Sequence, residues 1–144
     1  MVRGLDKTPA ASGRSGLRLV HCLVLVALLI APGIALYQLR GVIAPTLAVA
    51  IVLAISGAAF IGQWIDKRKA GAGEWRTPEN ILHLFELLGG WPGAFLAQHS
   101  FRHKTAKLSY QIVFWLIVVV YEAVAVDFLL GWKLAQALGR QIGF

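Results

Sequence analysis

Residues 19–39 contain no Asp, Glu, Lys or Arg. A run of about 20 apolar residues is long enough for a helix to cross the hydrocarbon of a bilayer, and little else in a small chain could bury it. Comparable runs follow at 42–65 and 112–131. In 144 residues of 58% hydrophobic composition, three such runs leave too little polar sequence for a water-soluble domain. The expected fold is therefore an all-α integral membrane protein. A net charge of +7 would suggest nucleic acid as partner of a soluble chain. Here the basic residues cluster at the ends of apolar runs, so anionic lipid headgroups are the expected partner and nucleic acid is not.

Taken in order, residues 1–18 read as a disordered basic tail carrying Arg3, Lys7, Arg14 and Arg18. The first apolar run exceeds the about 7 to 15 residues of a cleavable signal core, which makes it a retained anchor with a cytoplasmic N-terminus. Pro32-Gly33 should kink it, and Cys22 within it reads as a buried thiol. Arg40-Gly41 leaves room only for a tight turn, so the first two runs should pair as an antiparallel hairpin. On the second, Ala50, Ala54, Ala58 and Gly62 form a small-xxx-small ridge suited to helix packing, within the protomer or between protomers. Asp66-Lys67-Arg68-Lys69 should end that helix, and residues 70–73 should continue as a flexible loop. Residues 132–144 form a short interfacial tail beyond a single membrane domain at 19–131.

Residues 75–111 are different in kind. Thr77, Pro78 and Glu79 read as N-cap, first helical position and first-turn acid. The helix they open is apolar except for a stripe of Glu79, His83 and Glu86. Gly89-Gly90-Trp91-Pro92-Gly93 then breaks it, because glycine and proline both disfavour helix. A second short helix, 94–101, should follow and leave through Arg102-His103-Lys104-Thr105-Ala106-Lys107, a run suited to the headgroup level. Two architectures satisfy this pattern. One has three transmembrane helices plus a broken re-entrant or interfacial helical hairpin at 79–101; the other has four transmembrane helices, one of them kinked. With the N-terminus inside, their cytoplasmic basic counts differ by a single residue, so charge does not separate them. Breakers and embedded polar groups are tolerated where backbone faces protein or water, which favours the hairpin.

The motifs WRTPE, LLGGWPGAFLAQ and FRHKTAKLSYQIVFW, in that order, resemble a small bacterial membrane-protein family known as domain of unknown function 1294. The resemblance spans roughly residues 42–121 and implies a bacterial inner-membrane protein; it brings no activity with it. Some members carry an N-terminal cold-shock domain, and this chain has only its basic tail there.

Chemistry can be placed at several points. His99 and His103 stand at the i, i+4 spacing of two metal ligands, an incomplete set that His83 and Glu86 could complete only if the hairpin brings them near. No metal or cofactor is expected. Arg102, His103, Lys104 and Lys107 could grip a phosphate, most simply that of a phospholipid. Glu122 falls near the middle of the third span, where an acid is either functional or paired, with Gln63 or Ser56 as partners to consider. The leading expectation is an accessory or interaction module that binds lipid headgroups and other membrane helices, as a homo-oligomer or a subunit of a larger complex. A lipid-modifying enzyme using the Arg102-His103-Lys104 region, with Glu86, His99 and His103 as candidate catalytic groups, is the alternative. A minimal transporter using Glu122 is a further one.

Overall fold

The computed structural model describes residues 18–73, 77–102 and 104–142. All but one residue of the expected disordered tail therefore lies outside the described residues, as does His103. The described residues form six α-helices, which account for most of them, and include no strand. The helices are α1 (Leu19–Gln38), α2 (Pro45–Ala72), α3 (Glu79–Phe85), α4 (Trp91–Phe101), α5 (Leu108–Leu129) and α6 (Lys133–Ile142). Three of them, α1, α2 and α5, are long and apolar enough to cross a membrane. Their outward faces are Leu, Val and Ile side chains left exposed, including Leu23, Val26, Leu53 and Leu116. That pattern suits hydrocarbon as solvent and would be ruinous in water.

α1 runs unbroken through Pro32, and a single 3-10 turn at Leu39–Gly41 leads toward Pro45, which opens α2 from its first turn. The expected tight turn is present, but the antiparallel pair is splayed. α1 packs chiefly along α5, and a cleft lined by Leu29, Pro32, Leu36, Val49 and Val52 separates it from α2.

α2 does not end at the Asp66–Lys69 charges as the sequence reading expected. It continues to Ala72 and stops at Gly73 with φ 70°, the left-handed cap that glycine adopts without penalty. Asp66 is buried, so the turn that carries it is held by packing. α5 likewise starts earlier than expected, at Leu108, so Ser109, Tyr110 and Gln111 are helical.

Between α2 and α5 the chain makes a hairpin of α3 and α4. Its two ends meet the same end of α2: the Thr77 amide donates to Asp66 Oδ1 (2.9 Å), and the Lys67 ammonium donates to the Phe101 carbonyl. Its break lies against Ile55 and Ser56, eleven residues back along α2, which corresponds to about 16 Å of helix rise. α4 is the most enclosed helix in the molecule, with Trp91, Pro92, Gly93, Ala94, Phe95, Ala97 and Gln98 all buried. With Leu25, Ala59, Leu82, Tyr110, Phe114 and Val118 it forms the core.

Candidate functional site

The break is a wide π-type turn over Glu86–Gly90, with Gly89 at φ 108°. In that register the Leu87 carbonyl would be met by the amide of residue 92, which is a proline and has none. The Tyr121 hydroxyl on α5 supplies the missing donor at 2.6 Å. Gly90 and Gly93 then allow contact with α2 that no side chain permits. A Cβ on Gly93 would sit 1.9 Å from the Ser56 carbonyl oxygen, and one on Gly90 would sit 2.9 Å from that of Ile55. α4 begins at Trp91, three residues earlier than the sequence reading placed it, because Pro92 occupies the first turn, where no amide donor is needed.

Below the break lies a buried polar cluster. Glu86 is 0% exposed. One carboxylate oxygen accepts from Tyr110 Oη and, at 3.5 Å, from Gln63 Nε2; the other lies 2.6 Å from His83 Nδ1. Gln63 Nε2 also donates to Tyr110 Oη, and the His83 ring stacks on Tyr110 with 4.2 Å between centroids. Burial pushes the Glu86 carboxyl above its usual range, and the hydrogen bonds from Tyr110 and His83 partly offset that rise.

One step closer to the chain end, the Lys104 ammonium pairs with Asp66 at 2.9 Å and Glu79 at 3.4 Å. Lys107 reaches Glu79 at 2.8 Å. Burial alone would raise the Glu79 carboxyl, but Lys107 and Lys104 outweigh it and hold the group below its usual range. Gln111 donates to Gln98 (2.6 Å) and to the Lys104 carbonyl (3.1 Å), which fixes the exit of the hairpin to α5. Arg102 and Lys104 both take left-handed backbone, φ 50° and 59°, at that exit.

The expected residues separate into groups. Glu79, His83 and Glu86 share a face, as their spacing requires. Arg102 and Lys107 are exposed and face outward. Lys104 departs from its expected headgroup role: its side chain is 7% exposed and committed to Asp66, because a buried carboxylate needs a cation. His99 is remote from chemistry of that kind, bonded to the Phe95 carbonyl at 2.8 Å and lying 4.2 Å, centroid to centroid, from His21. Among the described residues no three His, Cys, Asp or Glu are close enough to share a metal. Ala50 and Ala54 are exposed, Ala58 is half-buried, and Gly62 meets Leu82. The buried stripe of α2 lies to one side of that ridge, at Ala59, Gln63 and Asp66. Glu122 is half-buried and does not pair with Gln63, which is committed to Glu86 and Tyr110; one Glu122 oxygen has no hydrogen-bond partner among the described residues. Asp127 caps α6 by accepting from the Leu134 and Ala135 amides at 2.7 and 3.0 Å.

Sequence reasoning missed Asp66, Tyr110 and the inward turn of Lys104. The available signal was the 59, 63, 66 spacing on α2, which aligns two polar residues with a small one on a single helical face.

Fold and cluster together define an all-helical protein with three helices long and apolar enough to cross a membrane and, between the second and third, a broken helical segment tied to them by buried charge. The family model described as "Protein of unknown function (DUF1294)" matches residues 56–110. That stretch runs from the Ser56 cradle of the break to Tyr110, and so contains the hairpin and both clusters. The uncharacterised protein YsdA of Bacillus subtilis (strain 168) is 39% identical over 62 residues, which is 43% of this chain and 68% of the relative. The chain belongs to the DUF1294 family. No solved structure matches it.

Proposed function

We propose that the protein is a multi-pass accessory module of the bacterial inner membrane, whose α3–α4 hairpin is re-entrant and whose charged rim binds anionic phospholipid headgroups. The observation that carries this reading is the hairpin's course: it starts and finishes at one end of α2 and turns about 16 Å away, roughly half the hydrocarbon thickness. Arg18, Lys67, Arg68, Lys69, Arg102 and Lys107 gather at that end, against Arg40, Lys133 and Arg140 at the other. This asymmetry supports a cytoplasmic N-terminus. Arg102 and Lys107 are the outward cations that would meet phosphates, and the exposed Ala50–Ala54 face of α2 is where a second membrane helix would pack. A cysteine at position 107, in a Cys22→Ser background, tests the topology. An impermeant thiol reagent should label it only after the cells are opened; labelling of intact cells would overturn the reading. Binding of short-chain, water-soluble phosphatidylglycerol to the protein in detergent tests the rim, since Arg102→Gln with Lys107→Gln should weaken it about tenfold or more.

One observation favours a second reading, a membrane enzyme acting at the headgroup level. Glu86 orients His83 through Nδ1, leaving Nε2 of a ring 15% exposed as an acid–base group. Loss of a lipid product with His83→Gln, at unchanged folding, would support it.

A further inference from the structure

The hairpin fills only half the length of the three long helices. Beyond its break, marked by Tyr121, α1, α2 and α5 border an apolar cleft of ≈ 400 Å³ lined by Pro32, Leu36, Val52, Val124, Phe128 and Trp132, among others. It runs along α1 and α5 for about 10 to 15 Å, close to the depth of one leaflet. The residue after lining Leu39 is Arg40 and the residue after lining Trp132 is Lys133, so cations flank the end of the cleft away from the hairpin. Trp132 holds its place at some expense: it sits at φ 61°, which a bulky side chain rarely adopts. The Trp132 amide donates to the Asp127 carbonyl, Asp127 caps α6, and Phe128 packs edge-on at 5.8 Å.

From this geometry we infer that the cleft is a binding site for one anionic phospholipid of the opposite leaflet. An acyl chain lies between α1, α2 and α5, and the phosphate lies between Arg40 and Lys133. Leaflet-length depth, an apolar lining and a cationic mouth suit that occupant, whereas a partner helix would need no cations there. The inference rests on the membrane reading above, and the thiol-labelling experiment tests that reading separately.

Native mass spectrometry of the full chain from mild detergent, with phosphatidylglycerol and phosphatidylcholine in equal amounts, provides the test. One phosphatidylglycerol should stay bound in preference to phosphatidylcholine, and Val124→Trp, which fills the cleft, should reduce it at least fivefold. Arg40→Gln and Lys133→Gln should each lower the preference about fivefold without abolishing acyl binding. Should Val124→Trp fail to fold, chain-brominated phosphatidylglycerol in vesicles gives the same answer. It should quench a fluorescence component present in the wild type and missing from Trp132→Phe more strongly than brominated phosphatidylcholine does. Equal retention of the two lipids, or undiminished retention in a folded Val124→Trp protein, overturns the proposal. Ready disulfide formation between two copies carrying Val124→Cys and Cys22→Ser in vesicles also overturns it, since a second chain would then occupy the cleft.

Discussion

At its base the α3–α4 hairpin is held by Asp66–Lys104 and by Glu86 among Tyr110, Gln63 and His83; at its break it is held by Gly90 and Gly93 lying directly on the α2 backbone. The base is polar, buried and dependent on protonation. Past Glu86 the break is apolar and depends on the absence of side chains at Gly90 and Gly93. Each method suits its depth. Near the chain ends of the hairpin, charge can be solvated during assembly and then paired. At the turn, contact is by dispersion and close approach, and the Tyr121 hydroxyl serves the Leu87 carbonyl for which Pro92 has no amide. The two regions should therefore fail differently.

The largest effect should come from Gly93→Ala. The added methyl would lie 1.9 Å from the Ser56 carbonyl, a backbone atom that cannot rotate away, so the break must lift from α2. The expected loss is about 3 kcal/mol or more, read as a lowered melting temperature in detergent that does not vary with pH. Gly57→Ala, one residue from Ser56 but with nothing within 4 Å of its Cβ, should be nearly neutral and serves as the control. Equal effects of the two would remove the claim that the break is held by close packing.

These two regions also differed in how readable they were. The break was legible because glycine and proline act through the backbone of their own residue, so four of them within the five residues 89–93 announce themselves locally. The three long helices were legible for a similar reason, since uncharged length is a local property. The base was not legible. In Asp66-Lys67-Arg68-Lys69 successive side chains rotate by about 100°, so a single residue can face inward while its neighbours reach solvent, and a charge run does not say which. Lys104 was hidden in the same manner inside a basic run, and Tyr110 in a short polar entry to α5. Their roles come from partners on other helices, information that no single segment contains.

Removing the cation of the base should rank second. Lys104→Met takes the ammonium away from the buried Asp66 carboxylate, at a cost of about 3 kcal/mol for a broken buried pair. Lys107→Met, whose partner Glu79 is more exposed, should cost well under 1 kcal/mol. A large Lys107 effect with a small Lys104 effect would reverse the assignment of the buried pair.

Protonation should move the base in two opposite directions. Glu86 has a raised carboxyl, so the folded state prefers it protonated; its contribution is complete below the ordinary value of 4.5 and is lost as pH rises through the raised one. Glu79 is lowered, so its contribution is present above 4.5 and is lost as pH falls through the lower value. Melting temperatures across pH 3 to 8 should thus show a decline on each side, and Glu86→Gln should flatten the neutral side while Glu79→Gln flattens the acid side. A Glu86→Gln profile that matches the wild type would show that Glu86 does not titrate in the folded protein.

A smaller effect sharpens the boundary between the two regions. Tyr121→Phe removes the donor to the Leu87 carbonyl and leaves the ring, which packs 6.5 Å from Trp91 between centroids. A hydrogen bond among membrane helices contributes about 0.6 kcal/mol on average, and here the acceptor is left with no proline amide to fall back on, so about 1 kcal/mol is expected. The loss should be independent of pH, as for Gly93→Ala and unlike the Glu86 and Glu79 variants. Combined with Gly93→Ala it should be less than additive, because a break already lifted from α2 no longer presents its carbonyl to Tyr121. Combined with Lys104→Met it should be additive, since those groups share no partner. Additivity with both variants would mean that Tyr121 and the glycines do not act on one element.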